Sequence, residues 1–315
     1  MPLIALEEHM LPADLARTAK AKHADVPRMR DALDEVGEQR LAAMDAAGID
    51  IQVLSIGAPG AAALPPEASV PMARQLNDRV AAAVTAHPDR FRAMATLPTP
   101  DPDAAVAEAY RAVRELGFCG VMINGHTNGE FLDEPRYDQI LGAVAELGVP
   151  LYLHPTFPPQ AVRDAYFHGF DAVTSRTLYT GGWGWHAETG LHVLRMAVGG
   201  VFDRYPDLQV VIGHMGENLP FSLMRADSRL ALERPDLPSV AETILSHVHL
   251  TISGYTTVPP LQCALAVFGA DRIMFAVDYP WSDCVETAEF LAAAPLSPTD
   301  REKIAHLNAE QLYKL

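Results

Sequence analysis

Basic residues are scarce in this 315-residue chain, with 24 Lys and Arg against 40 Asp and Glu and a formal net charge of −16. No run of Lys or Arg interrupts the acidity, which argues against nucleic acid or an anionic membrane as partner. Cysteine is scarcer still: Cys119, Cys263 and Cys284 lie far apart with no CxxC pair. Neither a disulfide framework nor a cysteine metal cluster is expected, and the thiols are read as reduced. Long apolar runs are missing as well. Pro2 to Leu6 lacks the length and basic flank of a signal peptide, and no later run reaches membrane-spanning length. These absences lead to the expectation of a soluble, cytoplasmic protein.

What is present is a rhythm. Eight short apolar runs have the length and residue types of buried strands: Leu3 to Leu6, Ile51 to Ile56, Arg92 to Leu97, Gly120 to Ile123, Pro150 to Leu153, Gln209 to Gly213, His249 to Ile252 and Ile273 to Val277. Helical patterns lie between them, such as Leu76, Val80 and Val84, or Ile140, Val144 and Leu147. Asp101 with Pro102 reads as a helix start, and Gly117 and Gly148 as helix ends. Alternating strand and helix predicts parallel strands joined by right-handed crossovers. A doubly wound sheet alternates too, but usually carries a glycine-rich phosphate turn after its first strand, where this chain reads Glu-Glu-His. The expectation is an α/β fold, a (β/α)8 TIM-like barrel, formed by residues 1–315 as a single domain.

Two connections exceed the usual βα loop and are expected to act as lids, Met10 to Val36 after the first strand and Thr156 to Trp185 after the fifth. The second gathers Phe157, Tyr166, Phe167, Phe170, Tyr179, Trp183 and Trp185 in a chain with only 7% aromatics. Such a group is either a substrate wall, with Trp185 as candidate contact, or a satellite cluster or oligomer contact.

Glu7 and His9 stand two apart at the end of the first strand, where alternation points both toward the barrel axis and Glu8 away. His154, His214 and Asp278 each directly follow a predicted strand. In a barrel those carboxyl ends converge on one mouth. Imidazole and carboxylate together suit Zn²⁺ or Mn²⁺ better than Ca²⁺, without choosing between the first two. A lone histidine after a strand is more often a hydrogen-bonded core or surface residue than a ligand. Joint position distinguishes this set, because a Glu-x-His pair inside a buried strand has no cheap structural explanation. His23, His87, His168 and His306 fall in loops or on helices and receive no role, and His247 and His249 flank the seventh strand without a nearby carboxylate.

These residues belong to a longer string of motifs: Ala5-Leu6-Glu7-Glu8-His9, Arg40-Leu41 with Met44-Asp45 and Gly48-Ile49-Asp50, Asn124-Gly125, Leu153-His154-Pro155, Glu188-Thr189 with His192, Gly213-His214-Met215-Gly216-Glu217, and Asp278-Tyr279-Pro280. With them the whole chain resembles the amidohydrolase superfamily, in the branch of nonoxidative decarboxylases that includes γ-resorcylate, 2,3-dihydroxybenzoate and aminocarboxymuconate-semialdehyde decarboxylases. The resemblance implies one divalent metal ion, Zn²⁺ or Mn²⁺, held by Glu7, His9, His154 and Asp278, with His214 unligated beside it. Hydrolytic members generally carry His-x-His where this chain has Glu7-Glu8-His9. No lysine follows the fourth strand to be carboxylated for a second metal, and Asn124, a candidate substrate contact, occupies that neighbourhood.

The implied activity is decarboxylation of an ortho-hydroxybenzoate-like acid, in which the metal chelates the substrate and the ring carbon is protonated. Asp278 would deliver the proton and His214 would share the relay. Glu217 either orients His214 or a helix, or is an N-terminal helix residue favoured by the dipole. Arg225 matches a substrate-contacting arginine in the resembling enzymes, to pair with a carboxylate or hydroxyl, and is otherwise a surface helix arginine. Hydrolysis of an ester, lactone or amide by the same site is the leading alternative. A metal-binding or ligand-binding protein without turnover is a third reading, against which the intact ligand set argues. The family implies a homodimer or homotetramer acting on a small aromatic acid. Departures are Gly57 in place of the usual Asn, Trp281-Ser282 in place of Phe-Glu, and a shortened spacing from His9 to Arg40 that reshapes the first lid. They point to a different or larger substrate.

Overall fold

A computed structural model of the protein describes residues 1–16 and 27–315. The apolar runs form β1 (Ile4–Met10), β2 (Ile51–Ile56), β3 (Phe91–Thr96), β4 (Gly120–Asn124), β5 (Leu151–His154), β6 (Val210–Ile212), β7 (Val248–Thr251) and β8 (Ile273–Met274). They lie in that order in one sheet, every neighbouring pair parallel. The sheet returns on itself through a bridge between Leu6 and Ala276, the Leu6 N–H on the Phe275 carbonyl at 3.1 Å and the His9 N–H on the Tyr279 carbonyl at 2.9 Å. With helices between the strands this is a nearly closed (β/α)8 barrel.

Period-two alternation explains the core. Leu6, Val53, Met94, Met122, Tyr152, Val211 and Met274 fill the barrel interior, while neighbours such as Leu54, Ala95, Val121, Leu153, Ile212 and Leu250 face the helices. Each such side chain contributes roughly 1.5–3 kcal/mol on burial. Leu76 and Val80 of the Pro66–Ala86 helix are fully buried, as are Ile140 and Val144 of the Asp138–Leu147 helix. The Asp101 carboxylate accepts from the Ala104 N–H at 3.1 Å and starts the Pro102–Arg114 helix. Gly117 and Gly148 take the left-handed conformation their places demand, at φ 74° and 63°.

The barrel departs from the expected strands at its seam. β1 runs on through Glu7-Glu8-His9 to Met10, and its register against β2 slips between Ala5 and Glu8. Three residues of β1 there advance against two of β2, which is a bulge, and Glu7 sits in it at φ 62°. The bulge turns Leu6 and Glu7 inward in succession, and from Glu7 on the expected alternation holds, with Glu8 out and His9 in. β8 ends its ladder at Met274, although Phe275, Ala276 and Val277 remain fully buried on the way to Asp278.

Of the two long connections, residues 17–26 of the first, with His23, lie outside the described residues. The second contains the Gln160–Tyr166 and Ala172–Tyr179 helices and leads into the Gly184–Val198 helix. Among the described residues no helix is long and apolar enough to cross a membrane.

Candidate active site

At the carboxyl ends of the strands, Glu7, His9, His154 and Asp278 offer four ligand atoms that lie within 4.8 Å of one another. His9 Nε2 lies 3.4 Å from Asp278 Oδ1, and His154 Nε2 lies 3.5 Å from Glu7 Oε1. Glu7 Oε1 and His9 Nε2 are buried without a hydrogen bond, an expensive condition unless something charged sits between them. The other atoms of the ligands are tied back. His154 Nδ1 donates to the Pro155 carbonyl at 2.7 Å, which leaves the Nε2 lone pair facing the cluster. His9 Nδ1 lies 3.0 Å from Ser55 Oγ. Glu7 Oε2 accepts from Tyr152 Oη and, at 3.3 Å, from Thr251 Oγ1. Burial and the nearby rings of His9 and His214 push His154 down to about 3, keeping it neutral as a ligand must be. The donor set thus fits one divalent cation.

Local backbone shapes the cluster. Glu7, His214 and Asp278 all adopt positive φ, at 62°, 50° and 71°, a conformation that costs non-glycine residues about 1–3 kcal/mol and collects at functional sites. A Cβ at Gly213 would lie 2.7 Å from Glu7 Oε2, so only glycine allows His214 to follow β6 this closely. Behind the ligands, Glu8 turns outward and accepts from the Val277 N–H at 2.8 Å and Gln52 Nε2 at 3.2 Å. Burial raises Glu8 to about 8. The buried Arg40 guanidinium donates to the His9 carbonyl at 2.5 Å and stacks 4.4 Å from the centre of the Tyr279 ring. Arg40 and Glu8 therefore sew the ligand-bearing ends of β1 and β8 together.

His214 stands beside the four ligands, its Nε2 3.6 Å from Asp278 Oδ2 and 3.9 Å from Glu7 Oε1. Its Nδ1 donates to Glu217 Oε1 at 2.7 Å. Burial disfavours a charged ring, but Glu217 and Glu7 outweigh it and hold His214 well above the usual imidazole range. Burial would raise Asp278 too, yet the close rings of His214 and His9 keep its carboxyl below the usual range. These shifts favour a proton on the His214 ring over one on Asp278.

Glu217 lies before the Leu219–Glu233 helix, not within it, and its carboxylate is in hydrogen-bond contact with the His214 ring. Asn124 ends β4 beside His154, donating to the Ile56 carbonyl at 3.3 Å and leaving its own Oδ1 buried without a partner. Trp185 lines a cavity of about 300 Å³ over the site, its ring edge-on to His154 at 6.1 Å and its Nε1 buried without a partner. Arg225 stands apart. The Leu219–Glu233 helix buries Leu219 and Leu223, and a residue two places after Leu223 projects outward, so Arg225 is exposed and does not line that cavity.

Four contributors escaped the sequence reading. Tyr152 looks like core and carries the hydroxyl on Glu7; Ser253 accepts the His214 N–H at 2.9 Å; Tyr255 walls the cavity; and His186 binds Glu217. Tyr152 lies within a strand and His186 on a helix, while Ser253 and Tyr255 follow the seventh strand without the imidazole or carboxylate that marks a ligand. Gly57 and Trp281 prove to be one feature: a Cβ at residue 57 would lie 3.5 Å from the indole, so a longer side chain there would enter space that Trp281 fills. Among the described residues lining the cavity there is no lysine or arginine.

The sequence model of the family described as Amidohydrolase matches residues 8–315. The decarboxylase orsB of Emericella nidulans is 36% identical over 327 residues, covering 100% of this chain and 97% of that protein. A solved structure of 2,6-dihydroxybenzoate decarboxylase complexed with 2,6-dihydroxybenzoate matches with a TM-score of 0.90 at 35% identity, covering 100% of both chains. The dihydroxybenzoic acid decarboxylase of Polaromonas sp. JS666, solved with bound manganese and the inhibitor 2-nitroresorcinol, matches with a TM-score of 0.90 at 34% identity, over 100% of this chain and 97% of that one.

Proposed function

We propose that this chain, which belongs to the amidohydrolase family, is a metal-dependent carboxy-lyase that removes CO₂ from an ortho-hydroxybenzoate-like acid. The observation that carries the reading is the double use of Asp278. One of its oxygens lies 3.4 Å from the ligand His9, and the other lies 3.6 Å from Nε2 of the unligated His214. A group so placed supports both metal binding and proton delivery at the cavity floor.

Glu7, His9, His154 and Asp278 would hold the ion, with manganese favoured over zinc by the manganese in a similar enzyme. When bound, the ion supplies Lewis-acid charge and a template for the substrate carboxylate and its ortho oxygen. The chain's own residues do the rest. Trp185 and Trp281 confine a flat ring and reduce its access to water. His214 passes its proton to Asp278 Oδ2, and Asp278 gives it to the ring carbon that bears the carboxylate. The bond from that carbon to the carboxylate then breaks, its electron pair returns to the ring, and CO₂ leaves. Glu217 keeps the emptied His214 in place to be reprotonated from solvent. Asn124, with its unpartnered Oδ1, and Trp185, with its unpartnered Nε1, are the candidate contacts for ring hydroxyls. Exposed Phe221, Met224 and Leu232 on the Leu219–Glu233 helix support a homo-oligomer.

The test incubates manganese-loaded and zinc-loaded protein with ortho-hydroxybenzoic acids, including 2,6-dihydroxybenzoate, and measures CO₂ and phenol. Equal amounts of the two are expected. Turnover of ester, lactone or amide substrates without any CO₂ from the acids would overturn the reading in favour of a hydrolase.

A further inference from the structure

Glu217 accepts two imidazole N–H groups at once. His214 Nδ1 meets Oε1 at 2.7 Å, and His186 Nδ1 meets Oε2 at 2.6 Å. From His214 the chain of contacts runs to Asp278; from His186 it runs the other way, with Nε2 2.8 Å from the Gly181 carbonyl. A carboxylate and a carbonyl are both acceptors, so His186 faces an acceptor at each ring nitrogen. His186 is the one hydrogen-bond donor to Glu217 Oε2 among the described residues, and it is buried, 5% exposed.

Gly181 belongs to the turn between the Ala172–Tyr179 and Gly184–Val198 helices, and that turn lines the cavity. It is drawn tight: a Cβ at Gly182 would lie 2.6 Å from the Thr177 carbonyl oxygen, and one at Gly184 2.5 Å from that of Tyr179. Side chains are excluded where the turn closes, and the closed turn brings the Gly181 carbonyl to His186. One imidazole therefore joins the cavity wall to the carboxylate that orients His214.

We propose that His186 is a positioning residue, which locks Glu217 and through it the His214 ring in line with Asp278, and which ties that alignment to the cavity wall at Gly181. Without His186 the Glu217 carboxylate is held on one oxygen only and is free to turn about its last side-chain bond. His214 then loses the fixed Nδ1 contact that keeps Nε2 aimed at Asp278. The same three side chains could instead share a second metal ion, since their ligand atoms lie within 4.8 Å of one another. The two uses make opposite predictions.

Three variants separate them. In His186→Asn the side-chain amide stands where Nδ1 was and still donates to Glu217; in His186→Gln it stands where Nε2 was and still donates to Gly181; His186→Ala does neither. The proposal rests on the decarboxylase reading only for its kinetic arm. With an acid that the wild type turns over, His186→Ala and His186→Gln are expected to lose kcat by about 10- to 100-fold, with unchanged metal content and a melting midpoint near the wild type. His186→Asn restores most of kcat but raises KM, because the Gly181 tether is gone. In proton NMR of zinc-loaded protein, the downfield His214 N–H signal persists in His186→Asn and is lost to exchange in His186→Gln. Equal kcat in the Asn and Gln variants, or a His214 signal indifferent to His186→Gln, overturns the proposal. So does a second ion per chain that disappears with His186→Ala. If the wild type decarboxylates nothing, the decarboxylase reading falls, while the NMR and metal-content arms still decide the role of His186.

Discussion

Tyr152→Phe removes one oxygen from the centre of the barrel and changes no packing volume of consequence. The hydroxyl donates to Glu7 Oε2 and lies 3.0 Å from Thr251 Oγ1, in a ring that is fully buried. A hydrogen bond to a charged acceptor contributes about 1.5–3 kcal/mol, and about 1.4 kcal/mol is a factor of ten in affinity. Metal binding requires Glu7 as the carboxylate, so this bond favours the metal-bound protein and its loss falls on metal affinity. The Zn²⁺ dissociation constant, measured by competition with a chromophoric chelator, should rise by about ten- to a hundredfold. The metal-free melting midpoint should move by no more than about 2–4 °C, the effect of 1 kcal/mol in a domain of about 150–250 residues and an upper bound for this longer chain. An unchanged dissociation constant refutes the argument. A large fall in the metal-free midpoint at constant affinity would make Tyr152 a packing residue instead.

Gly213→Ala would place a Cβ 2.7 Å from Glu7 Oε2 and 2.9 Å from Ser253 Oγ; overpacking of about 1–3 kcal/mol should displace Glu7, and elemental analysis should find less than one ion per chain. Full occupancy would show that the turn yields elsewhere. His214→Gln should keep its metal while kcat falls by about 100-fold or more, and loss of the ion would make His214 a ligand. Glu188 tests the electrostatics away from the centre. Burial raises it from 4.5 to about 7, so the folded state holds a proton that the unfolded chain releases. The stability this contributes is fully present below about pH 4.5 and is lost as pH rises through about 7. In urea unfolding the wild type should therefore lose more stability than Glu188→Gln between about pH 5 and 8, by at most about 3 kcal/mol; equal losses would mean that Glu188 is not buried as described.

The strands were legible because fully buried β-strands advertise themselves by apolar runs, and all eight begin within one residue of expectation, Leu3 against Ile4 or Pro150 against Leu151 among them. The carboxyl ends then named Glu7, His9, His154, His214 and Asp278, which the fold brings to one mouth. Local strain was less visible. The bulge at Glu7 and the positive φ of Asp278 leave no mark in hydrophobic periodicity, since neither is glycine. For Arg225 the sequence left substrate contact and surface helix arginine open, because its orientation depends on which face the Leu219–Glu233 helix buries; in the fold it is exposed on that helix. His186 carried no signal at all: it sits on a helix, after no strand, and acquires its role from a hydrogen bond to a residue 31 positions away.

The missing lysine and arginine along the cavity have a kinetic meaning. An aromatic acid nearing the metal-free protein meets Asp278 on the cavity lining, Glu7 and Glu217 buried behind it and a net charge of −16, with no guanidinium or ammonium on the described wall to answer its carboxylate. On the proposed function the ion would then act as the toll gate for substrate as well as the site of chemistry, and binding would be ordered, metal first and acid second. Metal supply would set substrate affinity and turnover through a single equilibrium. A cell that withholds the ion would leave the folded protein intact but blind to its substrate.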